Sequence, residues 1–395
     1  MEQGTALLCS IFYYYKGEIV IMKTPLRIAL LGCGGMGSGH ALAISGEDQK
    51  KPEFLTYDVY SERQIEISPL ADKLVLAGIY DIDEARMRWV AEKGWHCYGS
   101  YEEILNDETV DAVLIATPNH LHKAQAIQAL RAGKHVLCEK PVMLSSQDLL
   151  DVMAVAKEEG LVFYPRQNRR WDYDYLVAKK VFDDGILGEV FSVETTLVGS
   201  RGIPGDWRKI KACGGGMMLD WGVHVLDRLL MMIPGKISSV YCRCSHVTSD
   251  ECDDGFRAWL NFESGLTAQV VVSTCNFIDT PHWYIAGREG TAVIKGFNAE
   301  GKIVRTTNWY EGEVKPIQAG EGLTKTMAPR TSSSTEELPL PQVVVDRNAL
   351  YANFVDTVNK IAEQIVTPEE ALRCLRLMET LFRSDEENAV LPFES

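Results

Sequence analysis

The sequence predicts an α/β fold in two parts: an N-terminal doubly wound parallel sheet, then an α+β domain on an open, mostly antiparallel sheet. Three observations carry this. Apolar strands alternate with helices from Leu26 to Pro141, which implies right-handed crossovers and a parallel sheet. The first strand runs straight into a glycine-rich turn and a helix. From Gly188 onward strands follow one another through short turns, among them Glu263-Ser264-Gly265 and Arg288-Glu289-Gly290.

Taken in order, residues 1–23 form an N-terminal extension. Ala6 to Val20 is apolar, yet Glu2, Lys16 and Glu18 make it neither a signal peptide nor a spanning helix. Residues 24–142 make the first domain. Its strands are Leu26–Leu31, Leu74–Tyr80, Val110–Ala116 and His135–Cys138; its helices are Glu84–Glu92 and Leu121–Ala132, the latter closed by Gly133. Residues 46–73 read as a polar insertion. Residues 143–395 make the second domain, with strands at Phe191–Val198, Ile237–Val247, Phe256–Phe262, Leu266–Thr274, Trp283–Ala286 and Thr291–Lys295. Gly320 to Leu340, rich in Ser, Thr and Pro, reads as a long loop. Two helices, Arg347–Ile365 and Pro368–Ser384, close the chain.

A length of 395 residues suits two domains, and 46% hydrophobic with 24% charged residues is globular composition. A net charge of −15 with no basic stripe argues against a nucleic-acid partner. Nothing reads as a membrane partner either. Ten cysteines without a Cys-x-x-Cys pair suit free thiols in a reducing, cytoplasmic setting.

Gly32-x-Gly34-x-x-Gly37 between strand and helix is the arrangement that holds a pyrophosphate: a tight turn, a close backbone approach, and helix–strand packing. Gly35 and Met36 lie inside the same turn. Asp81 ends the second strand, where a carboxylate accepts from ribose hydroxyls and repels a 2′-phosphate, favouring NAD over NADP. It lies 44 residues after Gly37 instead of the usual ~20; the insertion accounts for the excess. Thr117-Pro118-Asn119 and His122 follow the third strand at the same sheet edge, placed to meet the nicotinamide ribose, though Thr117 or Asn119 could simply cap the next helix.

Lys140 stands directly after the fourth strand, before Pro141, at the edge where parallel sheets bind ligands. Lysine is costly to bury unless its charge is used. In Gly214 to Asp227, helical spacing brings Asp220, His224 and Asp227 within ~60° of one another. Zinc ligation by Asp220 and His224 lacks a third ligand, so no metal is expected. Alcohol oxidation needs a base for the hydroxyl proton while hydride leaves carbon. His224 is the preferred base, with Asp220 orienting it and Lys140 polarising the carbon–oxygen bond; Lys140 as base stays open. Trp171, Tyr173, Tyr175 and Trp207 could stack on sugar faces, or pack in the core.

These motifs resemble the Gfo/Idh/MocA family, which includes glucose–fructose oxidoreductase and inositol dehydrogenase. The stretches that carry the resemblance are the Gly32 turn, Ala116 to His122, Ala132 to Pro141, Asn168-Arg169-Arg170-Trp171, Trp207-Arg208, Gly214 to Asp227 and Ala286 to Thr291. The resemblance implies a Rossmann domain plus an open α/β domain, and NAD(P)-linked chemistry on sugars, inositols or related polyols. It implies Lys140, Asp220 and His224 as catalytic residues, and Asn168 and Arg169 near the nicotinamide or substrate. Glu139 and Lys140, at the end of the fourth strand, are expected to be cofactor-binding. The resemblance also puts Trp207 and Arg208 near the substrate, and implies homo-oligomers (dimers, tetramers or larger) through the open sheet face. Lys140, Arg169, Asp220 and His224, together with Tyr173 from the aromatic group and Asp227 from the helix face, are expected to be substrate-binding. The expectation is an NAD-dependent dehydrogenase for a secondary hydroxyl or keto group of a sugar, glycoside or cyclic polyol. The alternative is a glycosidase-type or keto-glycoside-forming enzyme with tightly held NAD; a non-catalytic NAD-binding sensor ranks below both.

Overall fold

Two strands, Ile11–Tyr15 (β1) and Glu18–Met22 (β2), pair antiparallel within the N-terminal extension. In this computed structural model the described residues are 11–15, 18–22, 25–47, 65–66, 70–307, 317–325, 330 and 332–393. Most of the expected insertion at 46–73 therefore lies outside them. Of the rest, Ile65–Glu66 pairs in parallel with Val345–Asp346.

Leu26–Leu31 (β3), Leu74–Tyr80 (β4), Ala112–Ile115 (β5), His135–Cys138 (β6) and Phe163–Pro165 (β7) form a parallel sheet of order β4-β3-β5-β6-β7. Its strands are continuous apolar runs because helices cover both faces. These are Gly35–Ser45 (α1), Glu84–Glu92 (α2), Tyr101–Asn106 (α3), His122–Arg131 (α4) and Ser146–Glu159 (α5). Strand order reverses between β3 and β5, so the loops after those two strands diverge and leave a crevice. The sheet does not stop at the expected boundary of 142: α5 and β7 carry it to Pro165. The signal for β7 is three residues long, too short for periodicity to reveal.

Tyr173–Asp183 (α6) leads into the second domain. Its nine-stranded sheet holds Val190–Val198 (β8), Ile237–Ser245 (β9), Gly255–Phe262 (β10), Thr267–Ser273 (β11), Trp283–Gly287 (β12), Gly290–Lys295 (β13), Glu300–Thr306 (β14), Thr335–Leu338 (β15) and Leu391–Pro392 (β16). The order is β15-β14-β13-β12-β8-β11-β10-β9-β16, antiparallel except for β8 with β11. The stretch expected to be one long loop thus contributes an edge strand, β15, paired with β14.

Val223–Met232 (α7) and Pro368–Glu387 (α9) sit over the inner face, where Val240, Cys242, Ala258, Leu260, Val270 and Trp283 are buried. Thr367 caps α9 through a capping box with Glu370. Ala349–Val358 (α8) is shorter than the expected 347–365 helix, and turns back to bury Leu350, Tyr351, Phe354 and Val355 against the first domain's Leu26, Ile28 and Leu30. All nine described cysteines are free thiols, and no described helix is long and apolar enough to cross a membrane.

Candidate active site

The glycine turn is built as its spacing predicts. Gly32 has φ +93°, and a Cβ there would lie 2.8 Å from the Ala116 carbonyl oxygen; one on Gly37 would lie 2.1 Å from that of Gly32. Both positions exclude side chains. At Gly34 and Gly35 an added Cβ meets nothing within 4 Å, so this stretch of backbone faces open space. No side chain caps the start of α1, leaving its first N–H groups for a ligand. The turn opens on a cleft of about 660 Å³ lined by Gly32, Gly34, Gly35, Met36, Asp81, Thr117, Pro118, Asn119, Glu139, Lys140, Trp207, Arg208 and Asp220. These residues fit a dinucleotide. Asp81 Oδ2 accepts from Cys33 N at 2.5 Å and Oδ1 from Asp83 N at 2.8 Å. Each oxygen keeps a lone pair for a ribose hydroxyl. Burial and the Asp81 charge push the neighbouring Cys33 thiol up to about 11, so it stays neutral.

Glu139 is the hub of the sheet's far side. Its Oε1 accepts from Arg166 at 2.7 Å and faces His40 Nε2 at 2.8 Å, while Oε2 accepts the Lys140 backbone N–H at 3.0 Å. Burial alone would raise this carboxyl; Arg166, the His40 contact and Lys140 outweigh it and hold it well below the usual range. His40 is tied on its other side to Tyr351 of α8 at 2.6 Å. The Lys140–Pro141 bond is cis. Lys140 Nζ crosses to the second domain and donates to Asp220 Oδ1 at 2.7 Å and to its backbone oxygen at 2.9 Å. Arg208 Nε lies 3.6 Å from the other Asp220 oxygen.

Asp220 and His224 do not share a regular helix. Met218–Gly222 is a π-helical turn ahead of α7, a widened turn that recurs at functional sites. Gly222 is required inside it, since a Cβ would meet the Phe256 ring at 2.9 Å. The wide turn breaks the 100° step that would put Asp220 on one face with His224 and Asp227. The structure therefore corrects the expectation that Asp220 orients His224: Asp220 holds Lys140, and His224 Nδ1 is buried without a hydrogen-bond partner. Burial, then the charges of Lys140, Arg169 and Arg228, keep His224 well below its ordinary pKa, so it is neutral at physiological pH. Trp221 packs edge-on against it, ring centroids 6.0 Å apart.

Asp227 is corrected as well. It is buried in a two-bonded pair with Arg170, 2.8 and 2.6 Å, and Arg170 also reaches Glu370 of α9. That is a structural tie, not a substrate contact. Tyr173 is buried with its hydroxyl donating to Gln342 at 3.0 Å, and does not line the cleft. His122 is fully buried between the Thr117 and Pro141 carbonyls, 2.9 and 3.0 Å, so it fastens the two loops together instead of facing a ribose. Thr117 donates to Gln125, and Asn119 to the Gly214 carbonyl at 2.9 Å, which joins the domains beneath the cleft.

Asn168 lines a smaller cavity of about 300 Å³ with Met36, His40 and Arg166. Arg169 pairs with Asp172 at 2.7 Å and lies over the Trp221 and Phe297 rings, 4.3 and 5.2 Å from their centroids. Trp207 and Arg208 stack on each other, 4.6 Å, in the cleft wall. His40, Arg166, Arg86 and Gln125 were missed from sequence. Only His40, an ionisable residue one turn past Gly37 on a helix that must pack, carried a usable signal.

A model of an oxidoreductase family with an NAD-binding Rossmann fold matches residues 26–166, and a model of the Gfo/Idh/MocA C-terminal domain matches residues 175–293. The scyllo-inositol 2-dehydrogenase (NADP(+)) of Bacillus subtilis is 24% identical over 294 residues, 74% of this chain and 82% of that protein. The 1,5-anhydro-D-fructose reductase of Ensifer adhaerens is 29% identical over 201 residues, 49% of this chain and 60% of that one. The crystal structure of an NAD-binding protein from Listeria innocua superposes with a TM-score of 0.83 at 44% identity, over 93% of this chain and 99% of that chain.

Proposed function

The chain belongs to the Gfo/Idh/MocA oxidoreductase family, and from that premise we propose that it is an NAD-dependent dehydrogenase acting on a secondary hydroxyl or keto group of a sugar, glycoside or cyclic polyol. The observation that carries this reading is the Lys140–Asp220 pair across the floor of the cleft that begins at the glycine turn. The dinucleotide, when bound, supplies the hydride acceptor or donor. The residues of the chain handle the proton and the oxygen. Lys140 presents its ammonium to the substrate oxygen and stabilises the charge that develops there. Asp220 holds that ammonium in place. Neutral His224 can accept the hydroxyl proton in oxidation and, as imidazolium, return it in reduction. Trp207 offers a flat apolar wall, and the inositol and anhydrosugar relatives support a polyhydroxylated ring as substrate.

The outward sheet face exposes Trp259 and Tyr284, which supports association of copies through it.

The test is a panel of inositols, monosaccharides and glycosides with NAD, read by the absorbance of reduced nicotinamide. Turnover is expected on at least one polyol. Lys140→Met is expected to lower kcat by about 10²–10³-fold, the usual cost of removing a charge-stabilising donor, with dinucleotide affinity intact. Product formed with no net reduced nicotinamide would instead favour transient oxidation with retained cofactor. A Lys140→Met enzyme with near-normal rates would end the assignment.

A further inference from the structure

Beside the site stands a buried carboxylate that the reaction does not touch. Asp253 lies in the connection between β9 and β10 and is 5% exposed. Its Oδ2 accepts the Met218 N–H at 2.8 Å and its backbone oxygen accepts the Met217 N–H at 3.0 Å. These are the N–H groups at the start of the π-helical turn. The fit requires glycine on the other side: Gly216 has φ +105°, and a Cβ there would lie 2.3 Å from Asp253 Oδ1. Gly216 N donates to the Arg208 carbonyl at 3.0 Å, and its own carbonyl accepts from Asp220 N at 3.1 Å. Asp253 is thus two residues from Asp220 through the backbone, and coupled to the cleft wall at Arg208.

We propose that Asp253 is a positioning residue, whose carboxylate anchors the first N–H groups of the turn and so sets the place of Asp220, Trp221 and His224. This rests on the reading of Asp220 and His224 as active-site groups. A carboxylate at the N-terminal end of a helical segment is favourable by charge and hydrogen bonding. Here the balance is poised, because burial pushes the Asp253 carboxyl up to about 6, against the pull of the Met218 and Met217 N–H groups and of His246. Around it, His246 faces Asp253 from the β9–β10 connection, and Cys252 and Cys244 feel its charge. Asp254 next in sequence turns away to Ser245 and Thr248. Residues 214–218, Gly-Gly-Gly-Met-Met, carry no ionisable side chain. Protonation in mildly acid solution therefore weakens the anchor and lets the turn shift.

The test needs no substrate, so it stands even if the dehydrogenase reading fails. The eight tryptophans are replaced by 5-fluorotryptophan, and the Trp221 ¹⁹F resonance is assigned with Trp221→Phe. In the wild-type chain this resonance is expected to titrate with a midpoint near pH 6, following the Asp253 carboxyl. Asp253→Asn is the neutral isostere of the protonated carboxyl, so its resonance should stay at the wild-type low-pH position and not titrate from about pH 5 to about pH 8. Asp253→Ala removes the anchor and should hold the displaced position throughout. Asp253→Asn is close to isosteric, so it reports even if the alanine variant fails to fold. A wild-type midpoint surviving in Asp253→Asn, or a wild-type resonance in folded Asp253→Ala, overturns the proposal.

Discussion

The choice between NAD and NADP is expected to turn on Asp81. Its carboxylate sits in the cleft wall, fixed to the backbone of Cys33 and Asp83, so it cannot swing away from a ligand. A 2′-phosphate on the adenosine ribose would bring its charge to about 5 Å. At an effective dielectric of ~20, each pair of unit charges at that distance costs ~3 kcal/mol. Salt at the open mouth screens part of this, and Arg86, in the same wall, returns some attraction. A net penalty of about 1.5–3 kcal/mol survives, which is about a 10–100-fold preference for NADH over NADPH. Quenching of tryptophan fluorescence on titration with each dinucleotide measures it directly. Asp81→Asn keeps one acceptor for the turn and removes the charge, so NADPH should gain about tenfold or more while NADH loses less. Raising salt should narrow the wild-type preference. Equal binding of the two dinucleotides by the wild-type chain, or tighter NADPH, refutes the reasoning. The NADP(+) named for the inositol dehydrogenase relative makes this a real contrast.

Two further outcomes follow from the burial of charge. Asp227→Ala leaves Arg170 without its closest partner, and removing one member of a buried pair costs about 3–5 kcal/mol. Denaturant unfolding should show that loss while dinucleotide affinity is unchanged; a shift in affinity without loss of stability would return Asp227 to the binding site. His122 is held below 6.5, first by burial, against its two carbonyl partners. The unfolded chain takes up a proton there that the folded chain refuses. Its contribution is therefore full above about 6.5 and is lost as pH falls through that value, by up to ~1.4 kcal/mol per pH unit. The decline in stability from about pH 7.5 to 5.5 should flatten by that amount in His122→Asn, and an unchanged slope would mean the imidazole titrates normally in the fold.

Much of this fold could be read from residue patterns. Strand–helix alternation placed four of the five parallel strands, and the Gly32 turn lies where its spacing demands. What escaped is instructive. β7 is three residues of apolar sequence indistinguishable from a loop, and only pairing with β6 makes it a strand. The Asp220-His224-Asp227 face assumes a regular helix, and the wide turn at Met218–Gly222 breaks it at Asp220, which bonds Lys140, while Asp227 pairs with Arg170 and His224 Nδ1 has no partner. Lys140 and Asp220 were both identified, but not their bond, because they come from separate domains. His122 and Tyr173 look functional as residue types, and their burial is decided by neighbours far away in sequence, Pro141 and Gln342.

The return of α8 to the first domain bears on how the chain is made. Leu350, Tyr351, Phe354 and Val355 complete an apolar layer that includes Leu26, Ile28, Leu30 and Leu114 of the sheet and Ala41 and Ile44 of α1, and Tyr351 supports His40 behind Glu139. A nascent chain leaving the ribosome has all five parallel strands long before that helix is synthesised. Until translation is nearly finished, the side that α1 and α2 cover lacks the patch that α8 supplies. A fragment cut after Pro165 would expose the apolar surface that Leu350, Tyr351, Phe354 and Val355 bury.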